Sequence, residues 1–426
     1  MIKGPPYWFK ILIFPWILVF SLREWGPITY PAISEALATF IALFLFVAAV
    51  GYSIGSLGLV ARHRAPSPSH QATAEANDNA ILILSLLYII LSLVDFFIIK
   101  AGTLTTLTQI REQDNITGSR MSVLGGVVAL TSAAPYIYLC KLSYGRVIHR
   151  RKRSLLTSFV VAIGITASFL SGGRNAFVIG MTVFFVQRLI LARYFTFDRD
   201  ERKNIRRLLI IGGILYSFYL FLERELAQGI DLNQLLFVFA AKWDVKITEV
   251  SFGNEVLDSI YASLMIFLFY LTHATDYIDQ YFNSNSSPFL LGAYNFPVVS
   301  KLIDVVAESQ IFSGIPNSLL VPGVYLTLPG SLYIDFGYFG ALVSSLFLGV
   351  LTGLSSRNSF SNSFLKMQFS CFMACLWLLA PIYSIIGISN GFSFMIIIAL
   401  LATANQVKKM LLQNYGQGSL RRRPLV

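Results

Sequence analysis

Charge is scarce in this chain: Asp, Glu, Lys and Arg make up 13% of 426 residues, against about 25% in an ordinary soluble domain. So few charges cannot keep the surface of a soluble globule of this length wet, and an apolar content of 55% excludes disorder as well. Histidine and cysteine are also sparse, at 4 and 3 residues. Cys140, Cys371 and Cys375 all lie in apolar runs, the last two one helical turn apart, which favours helix packing over a disulfide or a metal. There is no His-Glu-x-x-His pattern and no glycine-rich loop followed by Lys-Ser or Lys-Thr, which argues against zinc-protease chemistry and direct use of ATP. Asp198-Arg199-Asp200 imitates the metal-binding acid pair of nucleotide-sugar transferases, but it stands in a basic loop with nothing of such a fold around it. No internal repeat is evident.

What the chain has instead is long apolar runs, and mean hydropathy is +0.65. Bounded by charges or by Gly, Pro and Asn clusters, they predict an all-α, polytopic membrane protein with ten spans. These cover about 7–22, 35–60, 80–100, 121–141, 154–170, 175–193, 208–223, 331–353, 367–387 and 391–406. The first run lacks a small-residue cleavage site and is expected to be a retained span.

Lys and Arg number 33 against 22 acids, a net charge of +11. The ten-span arrangement, with both termini cytoplasmic, gathers the clusters Lys141 to Arg153 and Arg188 to Arg207 and the tail Arg421 to Arg423 inside. It sends most acids outside, as the positive-inside rule requires. The basic excess is therefore assigned to the membrane surface, and no nucleic acid is expected as a partner. The segment 257–271 is apolar but short. Counting it as an eleventh span would send Arg357, Lys366 and the basic tail outside, so a re-entrant or interfacial helix is expected there.

Three regions follow: N-terminal spans over 1–223, a long outer loop over 224–330, and C-terminal spans with a basic tail over 331–426. The loop carries Phe237, Trp243, Phe252, Tyr261, Phe267, Tyr270, Phe282 and Tyr294, too many aromatics for a solvated linker. It is expected to fold as a lid against the outer surface. The stretch 65–79, rich in Ser, Pro, Ala and Asn, reads as an unstructured cytoplasmic connector.

The most informative break is Ser171-Gly172-Gly173-Arg174-Asn175 between two apolar runs. Gly172 and Gly173 free the backbone to turn, and Arg174 then opens a helix whose unpaired N–H groups carry partial positive charge. Together these make a site for a phosphate or diphosphate. A tight hairpin with Arg174 reaching to headgroups is the alternative. Arg224, between Glu223 and Glu225 at the outer end of the seventh span, is either a local ion pair or a second cation for the same anion. His273 is the single outer histidine in this topology, and it is a candidate general base or else a structural residue. Asp335, in Gly330-Ser331-Leu332-Tyr333-Ile334-Asp335-Phe336-Gly337-Tyr338-Phe339-Gly340, is an acid among apolar residues at a membrane boundary and needs a partner. Asp95, Glu112 and Asp114 are further outer acids. Gly51, Gly55, Gly337 and Gly340 are expected to let neighbouring helices pack closely.

The Ser171 to Arg174 break, the long aromatic outer loop and the Leu332-Tyr333 to Gly340 stretch resemble the oligosaccharide repeat-unit polymerases, or O-antigen polymerases, of bacterial surface-polysaccharide assembly. The architecture is similar over nearly the whole chain, the sequence only over the two short stretches. The resemblance implies a metal-independent glycosyltransferase of the multi-span C type in the bacterial cytoplasmic membrane, needing no cofactor. It would move a growing glycan from undecaprenyl pyrophosphate to the end of a lipid-linked repeat unit on the outer face. Partners so implied are the undecaprenyl-pyrophosphate-linked oligosaccharide, membrane lipids and a chain-length regulator protein. Arg174 would match the family's loop arginine and hold the departing pyrophosphate with Gly172 and Gly173, and Arg224 would assist. His273 or Asp335 would take the acceptor proton. The related ligases carry a loop histidine followed closely by asparagine, whereas His273 is followed by Ala274 and Thr275. An O-antigen ligase and a lipid-linked glycan transporter or flippase are the competing readings.

Overall fold

The computed structural model describes residues 5–57, 78–99, 123–149, 155–170, 174–194, 236, 245–248, 252–284, 289–307, 311, 319, 326–358 and 363–420. Helix dominates them. In chain order the elements are α1 (Pro5–Trp25), β1 (Ile28–Thr29), α2 (Glu35–Leu57), α3 (Asp78–Val94), which runs on into a wider π turn over Asp95–Ile99, α4 (Val123–Thr131), α5 (Ala134–His149), α6 (Leu155–Leu170), α7 (Arg174–Tyr194), β2 (Lys246–Ile247), α8 (Glu255–Thr272), α9 (Ala274–Asn283), α10 (Pro297–Val306), α11 (Leu328–Asn358), α12 (Phe364–Leu379) and α13 (Ser389–Leu420). Among the described residues seven helical stretches are long and apolar enough to cross a membrane: Glu35–Leu57, Asn79–Phe97, Leu124–Val147, Asn175–Ala192, Glu255–Thr272, Leu328–Ser356 and Ser389–Val407. An all-α membrane protein is the class these helices fit. Each expected span except 208–223, which lies outside the described residues, coincides with a helix. The expected span 121–141 is interrupted at 132–133 and runs on to His149, and the expected span 367–387 leaves the helix after Leu379.

The tightest joint is between α2 and α11. A β-carbon added at Gly51 would fall 2.3 Å from the Leu346 carbonyl oxygen, at Gly55 2.3 Å from that of Val350, at Gly349 2.2 Å from that of Ala48, and at Gly353 2.4 Å from that of Tyr52. Only hydrogen fits, so the two backbones touch and dispersion holds them. Gly349 and Gly353 complete the small-residue seam whose other half is Gly51 and Gly55. The expected role of Gly337 is corrected: at φ +68 it is a kink in α11, a conformation costly for other residues. A β-carbon at Gly340 would meet Phe336 of its own helix, so that glycine too serves the kink.

Paired residues give the helix directions. Phe44 accepts from Ser345, and Gly51 to Gly55 match Leu346 to Gly353, so α2 and α11 run the same way. Gly180 packs on Tyr136, Gln187 donates to the Cys140 carbonyl and Arg188 to Ser143, so α5 and α7 are also parallel. Gln368 meets Gln187 while Cys375 meets Ile179, which makes α12 antiparallel to α7. Ser370 donates to the Ser355 carbonyl and Trp377 to Thr352, which makes α12 antiparallel to α11.

Residues just before and just after α8 both return to the connection between α1 and α2. Ahead of it, β2 pairs antiparallel with β1, and Thr248 donates to the Pro27 carbonyl. At its end, Thr272 bonds the Tyr30 hydroxyl at 2.5 Å and Phe269 lies along the Tyr30 ring. Asn254 caps the start of α8 through the Val256 and Leu257 amides. Val256, Ile260, Leu264 and Phe267 stay exposed along the helix, leaving one apolar stripe unpacked.

Candidate functional site

Two polar clusters stand out from the apolar packing. The first lies where four interruptions of regular helix come together. The Gly337 kink leaves the carbonyls of Ile334 and Asp335 without helical donors, and the amides of Leu290 and Leu291 fill those places at 3.1 and 2.9 Å. Leu291 and Gly292 turn with positive φ, which brings Tyr294 and Asn295 back to Asp335. Asp335 then accepts from the Tyr294 amide at 2.9 Å, the Asn295 amide at 2.8 Å and the Asn295 side chain at 2.7 Å. Asn295 in turn receives the Ser384 hydroxyl from the irregular segment after α12. The fourth interruption, between α4 and α5, is tied to the first turn of α13: Asn390 donates to Ser132, Ser393 donates to the Leu130 carbonyl, and the Ala133 amide donates to Ser393. Phe296 packs edge-on against Phe392 and links the halves. Irregular backbone at membrane depth survives only where protein or a polar cavity covers it, and every bond named here serves that end.

Asp335 therefore has the partner that its position demanded, and its three N–H donors hold the 289–296 turn in the kink. A carboxylate engaged on that scale anchors backbone, and proton transfer from an acceptor would first have to displace one of those donors.

Helix starts converge on the same cluster. α5 opens at Ala134 and α13 at Ser389, one on each side of the Ser132–Asn390 bond. α7 opens at Arg174, the residue expected to begin that helix. Carried back about one and a half turns from Gly180, the parallel register with α5 sets Arg174 level with the 130–133 interruption. Three positive helix ends thus share one level. Gly172, Gly173, Arg224 and the side chain of Arg174 lie outside the described residues, as do Glu223 and Glu225.

The second cluster surrounds the α1–α2 connection. Arg23, only 3% exposed, donates through Nη2 to the Pro31 carbonyl at 2.6 Å and to Asp276. Its guanidinium also stands 4.9 Å over the Tyr30 ring. Ser34 binds Asp279 with both its hydroxyl and its amide. Burial drives Asp276 up to about 7, outweighing the pull of Arg23 in the other direction. Its Oδ2 and the Arg23 Nε are buried with no protein partner.

His273 stands between α8 and α9 in this second cluster, away from Asp335. Its ring stacks on Phe269 at 4.8 Å and Nδ1 bonds the Phe269 carbonyl at 2.9 Å. Burial lowers its pKa to about 4, so the imidazole is neutral at pH 7 and a weak proton acceptor there. Sequence reasoning missed Arg23, Asn295 and Asn390. Arg23 looks like an ordinary basic flank of a span. Asn295 and Asn390 carry no spacing signal, because the interruptions that join them are distant in sequence.

α9 bridges the clusters. At one end Asp276 meets Arg23, and at the other Phe282 stacks on Tyr333 at 4.7 Å and meets Phe40 at 5.3 Å. No family model, no curated protein and no solved structure matches this chain.

Proposed function

We propose that this protein polymerises lipid-diphosphate-linked oligosaccharide repeat units on the outer face of a bacterial cytoplasmic membrane. The observation that carries the reading is the meeting of the α5, α7 and α13 starts at one level, with Arg174 opening the middle one of the three in sequence. Helix N-termini and a guanidinium favour an anion, and a diphosphate gains negative charge as it leaves, so cations fixed there lower the barrier to its departure.

In the proposed reaction an acceptor hydroxyl attacks the anomeric carbon of the donor glycan. The bond from that carbon to the diphosphate oxygen breaks, and the hydroxyl proton passes to a base. Arg174, with Gly172 and Gly173, holds the leaving diphosphate, and Arg224 assists. His273 or an outer acid takes that proton, and Asp335 would first have to release one of the donors that keep the 289–296 turn in place.

Ten crossings accommodate the fold. With α2 and α11 parallel, an odd number of crossings separates them. Spans α3, α4–α5, α6 and α7 supply four, and an odd number of further crossings before α11 agrees with the ten-span reading. Both flanks of α8 attach to the α1–α2 connection, which supports α8 as the helix lying at the surface.

The test is incubation of purified protein with a synthetic lipid-diphosphate repeat unit, without added metal or nucleotide, followed by gel analysis. Ladders from the wild-type protein and none from Arg174→Ala are expected. Ladders of unchanged length from the variant would remove Arg174 from the site. A lipid-linked glycan transporter is the second reading, favoured by the interrupted helices. Flipping of a fluorescent lipid-diphosphate in vesicles without ladder formation would select it.

A further inference from the structure

Between α1 and α2 runs a crevice of about 460 Å³, lined by apolar side chains from Ile13 to Phe20 on α1 and by Ala42 and its neighbours on α2, with Glu24 and Trp25 at one end. We propose that it binds one acyl chain of an outer-leaflet phospholipid whose amine headgroup sits against Glu24. This site is separate from the diphosphate cradle and does not depend on the proposed polymerase activity.

Two observations carry it. The first is length. From Ile13 to Trp25 the groove follows α1 for twelve helical rises, about 18 Å. The hydrocarbon depth of one leaflet is about 15 Å, half of a roughly 30 Å core. A chain confined to one leaflet fits, whereas a long polyisoprenoid overruns it.

The second is charge. The Glu24 side chain is 63% exposed and stands at the same end of the crevice as Trp25, which is itself 85% exposed, as an interfacial anchor would be. Arg23 approaches the Glu24 carboxylate loosely through Nη1, at 3.7 Å, but its close contacts are Asp276 and the Pro31 carbonyl. The mouth therefore presents a carboxylate to the headgroup layer. An ammonium complements it, and a diphosphate is repelled.

The test is native mass spectrometry of the full chain in detergent, titrated separately with phosphatidylethanolamine, phosphatidylglycerol and a polyprenyl diphosphate. The wild-type protein is expected to retain one phosphatidylethanolamine through delipidation. Ala42→Trp, which fills the groove from an exposed position on α2, should lose that adduct while the protein stays monodisperse. Glu24→Lys should reverse the preference between the two phospholipids by about fivefold, the scale of an exposed ion pair. Equal retention by wild type and Ala42→Trp would overturn the site. Unchanged headgroup preference in Glu24→Lys, or a polyprenyl diphosphate adduct that Ala42→Trp removes, would overturn the assigned occupant.

Discussion

The α2–α11 seam and the cluster of helix interruptions around Asp335 join helices in opposite ways. The seam is bare backbone against bare backbone, made by removing side chains, with the Ser345 hydroxyl on the Phe44 carbonyl and Tyr52 bonded to Ser356 beside it. The interruptions are joined by adding polar groups: Asp335, Asn295, Ser384, Asn390, Ser132 and Ser393 replace the hydrogen bonds that broken helices lose. In a membrane the first device fixes two helices where nothing needs to happen. The second allows irregular backbone, and with it helix ends, inside the helical bundle. Both devices meet on α11, which carries the seam at Gly349 and Gly353 and the kink at Gly337.

The largest expected effect breaks the seam. Gly349→Leu would drive a side chain into the Ala48 carbonyl, which cannot move without separating α2 from α11. Loss of the monodisperse peak on size-exclusion chromatography is expected. Gly145→Leu, where nothing lies within 4 Å, should leave the peak intact. Equal behaviour of the two variants would show that the close approach is not what holds these helices.

Next comes the ion pair on which the outer helices hang. Arg23→Ala leaves Asp276 buried without its cation, a change that costs about 3–5 kcal/mol in soluble proteins. It should expose α8 and α9 to limited proteolysis while the seam still holds the spans together, so cleavage should fall within 245–307 first. Cleavage elsewhere first would mean that this pair does not secure the outer segment.

A smaller loss is expected at the interruptions. Asn295→Ala removes one donor to Asp335 and the acceptor of Ser384, worth about 1–3 kcal/mol for a buried charge-assisted bond. The thermal midpoint should fall by less than in Arg23→Ala, and the 289–296 turn should become labile to hydrogen exchange. If exchange there is unchanged, Asp335 is not the anchor of the turn.

These contrasts also show what could be read in the sequence. The helical class follows from apolar runs of bilayer length, and half of the seam from Gly51 and Gly55. Arg174 was legible as a helix start because two glycines precede it. The interruptions were not, since Thr131-Ser132 and Ile385 to Ile388 look like continuous apolar span to any window average, and only partners distant in the chain, such as Asn390 for Ser132 and Asn295 for Ser384, make a break there tolerable. The expected packing role of Gly337 failed for a related reason, because a glycine that permits close approach and one that permits positive φ are the same letter. His273 stood out for being an isolated outer histidine. The charge that its neighbourhood organises belongs to Asp276, whose buried partner Arg23 is separated from it by 253 positions in the chain.

The smallest effect concerns pH, and it is visible only in variants. His273 is depressed from 6.5 to about 4 in the folded chain, so between those values the unfolded state binds the extra proton and stability falls as pH falls. Asp276 is raised from 3.8 to about 7, so over nearly the same window the folded state binds the extra proton and stability rises as pH falls. The two slopes oppose each other across pH 4 to 6.5, and the wild-type thermal midpoint should be nearly flat there. His273→Phe keeps a ring against Phe269 and removes the first slope, so this variant should gain stability on acidification from pH 7. Asp276→Asn removes the second, and it should lose stability on acidification from pH 6.5, on top of the constant loss from leaving Arg23 without a counter-charge. A wild-type profile as steep as either variant's would show that the two residues do not share the buried surroundings that give their titrations opposite signs.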